Sequence, residues 1–378
     1  MGQSLDSTQT KSMTFVSTSI FAIVSINFAP QNNRMLAPVL VLKIGSAAIT
    51  TPQGDVDEKA ITSVALQISQ LHNQYRIIIV SSGAVATGKP FIKNYSGKIA
   101  ERKAAAAIGN PLLIDKYTKA FQPHGIAIAQ SLCERQHFSK WNTFSQLKET
   151  INELWNNGII PIANENDVVS DLELRFSDND ELATLIAVGF DAEVLLIGST
   201  VSGLLDKDKK VVPLVEKIDE SILGLANTEK SSVGLGGMVS KLTFARLATR
   251  LGIRVHIFGL REPNGILQAL SQQSGTTFLP AKSSATPRQK WLASGNLVTG
   301  KVQVDAGAAT ALQNRKSLLA VGVKKVKTSF EKGEIIEILD EKGLAIAVAR
   351  AKHSSVIIKD NLKTQNFEIA HADDIVLL

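Results

Sequence analysis

Three glycines and a lysine stand just ahead of a helical run in Gly234-Leu235-Gly236-Gly237-Met238-Val239-Ser240-Lys241, the run itself extending from Leu242 to Leu251. The spacing suits a phosphate. Glycine lets backbone N–H groups come within reach of phosphate oxygens, the start of a helix carries partial positive charge, and a lysine adds a full one. Taken alone, the loop reads equally well as a tight turn that caps a helix. A second glycine and lysine element, Val41-Leu42-Lys43-Ile44-Gly45-Ser46, closes the first strand expected in the chain. Two lysines on separate glycine turns suggest a polyphosphate held from both ends.

The densest polar cluster is Asn164-Glu165-Asn166-Asp167, followed by Ser177-Asp178-Asn179-Asp180 at the head of a helix beginning near Glu181. So many carboxamides and acids do not belong in a core. They read either as a solvated loop with Ser177 or Asp178 capping the helix, or as a site for a small zwitterion. In the second reading Asp167 takes an ammonium group, Asn179 offers amide contacts and Asp180 orients the lysines. Asp178 or Asp180 could also touch a metal, because Mg²⁺ is held through few carboxylates and the phosphates of a nucleotide. No dedicated metal ligand is assigned.

The elements that must position these residues are legible from hydrophobic patterning. Val39–Ile44, Arg76–Ser81, Ile126–Ala129, Ile159–Ala163, Val194–Ile197 and Val255–Phe258 are apolar or nearly so throughout, as strands buried on both faces are. Between the first two, Ile61, Val64, Ala65, Ile68 and Leu71 line one face of a helix. Further helical stretches run from about 100 to 121, 144 to 155 and 181 to 188. Alternation of strand and helix predicts an α/β fold, a mostly parallel sheet sandwiched by helices. Ligands of such sheets sit beyond the C-terminal strand ends, where Lys43-Ile44-Gly45 and Ser81-Ser82-Gly83 fall.

The chain of 378 residues is 44% hydrophobic, enough for two or three domains. Its formal charge of +6 is spread thinly and argues for some affinity for anions, not for a dedicated nucleic-acid protein. A single cysteine, Cys133, excludes an internal disulfide framework and any Cys-based zinc cluster, which fits a cytoplasmic protein. Residues 1–35 contain a short apolar run, Ser19–Val24, without a positive lead segment or a small-residue cleavage site, and too short to span a bilayer. They read as a disordered extension, or as sequence upstream of a start at Met35. No membrane association is expected.

Near residue 280 the texture changes. Pro280-Ala281-Lys282-Ser283-Ser284-Ala285-Thr286-Pro287 is linker-like, placing a first domain at 36–285, a linker at 286–298 and a small strand-rich module at 299–378. In that module Gly300–Val304, Glu334–Leu339, Ala345–Ala349, Ser355–Ile358 and Ile375–Leu378 read as strands separated by turn residues. Its basic stretch, Arg315, Lys316, Lys324, Lys325, Lys327 and Lys332, reads as a solvated face or as an RNA contact.

Taken in order, Val41–Ser46, Val80-Ser81-Ser82-Gly83-Ala84-Val85, Asn164-Glu165-Asn166-Asp167, Asp178-Asn179-Asp180, Gly236-Gly237-Met238 with Lys241, and Arg288-Gln289-Lys290-Trp291 make residues 38 to about 378 resemble the glutamate 5-kinases. Those enzymes join an amino-acid-kinase domain to a C-terminal PUA domain. The resemblance implies ATP-dependent phosphorylation of the γ-carboxylate of L-glutamate, with Mg²⁺, at the entry to proline biosynthesis. It implies that Ser82, Gly83, Asp167 and Asn179 bind glutamate, that Lys43 and Lys241 straddle the moving phosphoryl group, and that Asp180 holds both lysines. Nucleotide contacts would come from Lys43, Gly45, Ser199, Thr200, Leu235, Gly236, Gly237, Met238, Val239, Ser240 and Lys241. It also implies homo-oligomers, proline as a feedback inhibitor and an RNA contact through the last domain. The chain departs from the family at Ser199-Thr200, where Thr-Asp is usual, at Leu205-Asp206-Lys207-Asp208, at Leu235 and at Asn110, where Gln is usual. Two other readings stay open: a kinase with another carboxylate acceptor, and an RNA-binding or regulatory protein whose kinase domain has decayed.

Overall fold

The computed structural model describes residues 37–51, 55–139, 141–169, 178–226, 237–282 and 298–377. The expected extension at 1–35, Ser177, Leu235, Gly236, Arg288–Trp291 and all but the end of the expected linker lie outside the described residues.

In chain order the first unit runs β1 (Val39–Ile44), α1 (Glu58–Leu71), β2 (Arg76–Ser81), α2 (Ala84–Gly88), α3 (Ile99–Phe121), β3 (Ile128–Cys133), α4 (Gln136–Ser139), α5 (Trp141–Asn156) and β4 (Ile160–Glu165). It continues through α6 (Asn179–Gly189), β5 (Val194–Ser199), β6 (Leu214–Val215), α7 (Glu220–Ala226), α8 (Met238–Arg250), β7 (Arg254–Gly259), α9 (Gly265–Leu270) and β8 (Thr276–Phe278). The strands form one sheet in the order β3-β4-β2-β1-β5-β7-β8-β6. From β3 to β7 neighbours are parallel; β8 runs antiparallel to β7, and β6 pairs in parallel with β8. The chain therefore builds outward from β1 on one side and returns to its other side with β5, so the C-terminal end of β1 lies at a topological switch point.

Alternation along the strands sorts side chains to the two layers. Val39, Val41, Ile78, Val80, Leu195 and Ile197 share a core with Leu182 and Ile186 of α6 and Leu242 and Ala245 of α8. Leu40, Leu42, Ile44, Ile77, Ile79, Ile160 and Ile162 pack with Ile61 and Ile68 of α1 and with Leu113, Tyr117 and Phe121 of α3. The same parity sends Lys43 to the α6 and α8 layer, and Ser81 and Asn164 to the α3 layer.

The second unit contains β9 (Val298–Val304), α10 (Ala306–Gln313), β10 (Leu318–Leu319), β11 (Val323–Val326), β12 (Ile335–Leu339), β13 (Ala345–Arg350), α11 (Ser355–Asp360), β14 (Glu368–Ala370) and β15 (Ile375–Leu377). A five-stranded sheet, β11-β9-β12-β13-β15, and the pair β10-β14 enclose their own core, including Val302, Val304, Leu312, Ile336, Ile338 and Ala347. Ser355–Ile358, expected as a strand from its β-branched residues, is helical. Ser355 and Ile358 are buried while Val356 and Ile357 between them are exposed, and Ile358 N–H donates to the carbonyl of Ser354. That i, i+3 burial is a helical face. β3 also differs from expectation, lying two residues later and ending four later, because Gln130 and Ser131 interrupt its apolar run at a sheet edge.

Candidate active site

Lys43 leaves the end of β1, Asp180 opens α6 and Lys241 sits in the first turn of α8. All three are buried, and Asp180 is wholly so. One oxygen of the Asp180 carboxylate lies 2.6 Å from Lys43 Nζ, the other 3.0 Å from Lys241 Nζ. Burial alone would raise this carboxyl, but the two ammonium groups outweigh it and hold its pKa below the ordinary carboxylate value. Two cations around one anion leave a surplus positive charge fixed at the end of the sheet, an arrangement that suits an incoming polyanion.

The helices that carry these groups are tied together. Asp178 caps α6, one carboxylate oxygen accepting from the N–H groups of Asp180 and Glu181, while its other oxygen accepts from Ser240 Oγ at 2.5 Å. Glu181 pairs with Arg135, just past β3, at 2.5 Å. α8 begins at Met238 after Gly237, which gives it no side-chain cap among the described residues, and N–H groups at such a helix start suit a phosphate. Among the other expected nucleotide residues, Met238 is half-buried, Val239 is exposed and Ser240 is committed through its hydroxyl to Asp178. Gly45 lies at the mouth of the triad: its N–H donates to the carbonyl of Gly198, and a Cβ added to it would stand 3.7 Å from Lys43 Nζ. Ser199 ends β5 and Thr200 is exposed beside it.

On the other side of Lys43, Ser82 follows β2 and is pinned by its N–H to the carbonyl of Ile44. Gly83 has φ +116°, a conformation that admits glycine and starts α2. Asn179, next to Asp180, reaches across to donate to Ser82 Oγ at 2.7 Å and to Asn164 Oδ1 at 3.2 Å. Its own Oδ1 is buried without a hydrogen-bond partner among the described residues. Asp167 lies half-buried in the turn after β4. Lys43, Asp180 and Lys241 thus converge, and Ser82 and Asn179 converge beside them because Asn179 and Asp180 are consecutive.

Residues 38–259 match the amino acid kinase family and residues 300–371 the PUA domain. The glutamate 5-kinase of Trichlorobacter lovleyi is 36% identical over 327 residues, 84% of this chain and 87% of that protein. The glutamate 5-kinase of Streptococcus suis is 33% identical over 358 residues, 91% of this chain and 100% of that protein. The chain belongs to the amino acid kinase family, among its glutamate 5-kinases. Among solved structures, carbamate kinase from Giardia lamblia is 18% identical over 65% of this chain and 99% of its own, with a TM-score of 0.47.

Within this amino acid kinase Gln130 and Tyr117 are side chains near the site that the sequence does not single out, and Asn110, Asn164 and Ser81 make contacts there that it does not show. Asn164 and Asn110 form a buried pair, Nδ2 to Oδ1 at 3.2 Å, with Gln130 Nε2 approaching the same oxygen at 3.5 Å. Tyr117 meets Ser81 Oγ at 2.9 Å, and burial pushes its phenol pKa up against the lowering effect of that bond. Strand parity was the available signal: Ser81 and Asn164 are the polar positions that continue the apolar rows Ile77, Ile79 and Ile160, Ile162. No described helix is long and apolar enough to cross a membrane.

Proposed function

We propose that the chain transfers the γ-phosphoryl group of ATP to the γ-carboxylate of L-glutamate, forming an acyl phosphate as the first step of proline biosynthesis. The observation that carries this reading is the adjacency of Asn179 and Asp180. One side chain belongs to a pocket of amide and hydroxyl groups, the next to the bridge between two lysines. An amino acid gripped by the first presents its side-chain carboxylate to the second.

A γ-carboxylate is ionised at neutral pH and needs no general base. The barrier lies in bringing two anions together and in the charge on the moving phosphoryl group. Lys43 and Lys241, held by Asp180, oppose that charge, and the N–H groups at the start of α8 receive phosphate oxygens. Asn179 Oδ1, buried and unpartnered among the described residues, accepts from the α-ammonium group, with Asp167 as its countercharge. Ser82 and the N–H of Gly83 complete the acceptor pocket. Both oxygens of Asp180 are taken by lysines, so Mg²⁺ would be held on the phosphates of the nucleotide, where it neutralises their charge.

The catalytic unit in this reading is 36–285, with a PUA-like unit at 299–378. The reading carries cytoplasmic placement, self-association, RNA contact through the C-terminal unit, and competition by proline for the acceptor pocket. The test is ATP- and Mg²⁺-dependent turnover, the acyl phosphate trapped with hydroxylamine. Hydroxamate is expected from L-glutamate and not from N-acetylglutamate or aspartate. Product from another acceptor alone would reassign the substrate; none from any acceptor in folded protein would sink the kinase reading and favour an RNA-binding or regulatory role.

A further inference from the structure

Two hydrogen-bonded lines leave α3 and meet where Ser82 touches Asn179. The first starts at Tyr117, whose oxygen lies 2.9 Å from Ser81 Oγ, and Ser81 Oγ donates to the carbonyl of Ser82 at 3.1 Å. Tyr117 and Ser81 are both sealed from solvent. The second starts at Asn110, seven residues earlier on the same helix and so on the same face. Asn110 Oδ1 receives Asn164 Nδ2, Asn164 Oδ1 receives Asn179 Nδ2, and Asn179 Nδ2 also donates to Ser82 Oγ. Asn110 Nδ2 is buried without a partner among the described residues, a cost that marks the position as kept for its oxygen.

A third contact ties α3 to the same loop. α2, which begins directly after Ser82-Gly83, lies backbone to backbone on α3: a Cβ at Gly109 would stand 1.7 Å from the Ala84 carbonyl oxygen, and one at Gly88 1.9 Å from that of Ala105. Parity puts Ser81 and Asn164 on the sheet face opposite Lys43, so these lines run under the acceptor side of the site and away from the lysines.

We propose that Asn110 and Tyr117 are positioning residues that make α3 the gauge of the acceptor pocket, setting the spacing of Ser82 and Asn179 and the direction of the Asn179 amide. The inference rests on the reading of those two residues as glutamate contacts. Both N–H bonds of the Asn179 amide are engaged, one to Ser82 and one to Asn164, which leaves its oxygen to face a donor such as an ammonium group. Without the anchor at Asn164 the amide is free to turn and present N–H to that ammonium, which repels it. The consequence falls on the amino acid and not on the nucleotide.

The test uses the full chain with Tyr117→Phe, which removes one oxygen and keeps the ring, and Asn110→Leu, which keeps the volume and removes the amide. Each is expected to raise KM for L-glutamate about 5- to 30-fold, the factor that one lost or misdirected hydrogen bond commands. KM for ATP is expected to stay within about twofold, and the double variant to fall short of the product of the singles because both lines end on one pair. Should Asn110→Leu fail to fold, Asn110→Ser, too short to reach Asn164, reads the same quantity. Normal glutamate KM in both folded variants, or an equal rise in KM for ATP, overturns the inference. The wild-type chain is assayed beside them: no turnover with glutamate removes the glutamate reading and this inference with it, whereas wild-type turnover with unmoved variants removes only the inference.

Discussion

Replacing Lys241 with methionine tests the charge arrangement most directly. Lys43, Asp180 and Lys241 together carry one surplus positive charge, and the substitution cancels it while keeping an apolar stem of similar length. A unit charge at about 3 Å from a phosphoryl oxygen, with an effective dielectric constant of about 20, is worth about 5 to 6 kcal/mol before competing terms. Bound nucleotide feels part of that attraction already, so about half remains specific to the transition state, near 3 kcal/mol or roughly 100- to 200-fold in kcat. That matches the cost of about 10²- to 10³-fold for removing a single preorganised donor at a developing charge. Folding should hardly change, because Asp180 keeps Lys43 at 2.6 Å and is not left as an unpaired buried charge. The assay is hydroxamate formation from L-glutamate at saturating ATP, with a thermal melt of the same preparation. A folded variant that retains more than about a tenth of wild-type kcat, less than 1.4 kcal/mol of effect, would refute the role given to this lysine.

Two further outcomes are expected. Gly109→Ala improves helix propensity yet drives a Cβ to 1.7 Å from the Ala84 carbonyl oxygen, so overpacking should win by about 2 kcal/mol or more and lower Tm by about 5 °C or more; a stabilised variant would show that α2 and α3 are not in backbone contact. His256 is fully buried on β7, and burial, helped by the charge of Arg254, lowers its pKa from 6.5 to about 4. As pH falls below 6.5 the unfolded chain takes up a proton that the folded chain refuses until about 4. Stability should therefore fall across that window by up to about 3 kcal/mol and then level off. Urea midpoints between pH 7 and pH 4 should show this slope in the wild type and not in His256→Gln; parallel profiles would count against a neutral buried imidazole.

What could be read from local sequence is what local chemistry controls. β1 and β2 match the expected ranges to the residue because their apolar runs end at Gly45 and at Ser82-Gly83, and the glycine and lysine turns suggest a phosphate without reference to any distant residue. β3 departs from the expected range because an edge strand with Gln130 and Ser131 does not show the buried pattern, and Ser355–Ile358, expected as a strand, is helical because β-branched propensity yields to the packing of Ser355 and Ile358. The resemblance names Asp180 as the partner of both lysines, but the tertiary structure is what brings one carboxylate between them, since Lys43, Asp180 and Lys241 are 137 and 61 positions apart and meet only through strand register and the packing of α6 against α8. It alone decided, too, that Asn110 and Tyr117 connect to Ser82 and Asn179. Parity along β2 and β4 can say which face Ser81 and Asn164 point to, but which helix lies on that face, and which of its side chains comes within 3 Å, depends on contacts between elements that no short window of sequence contains.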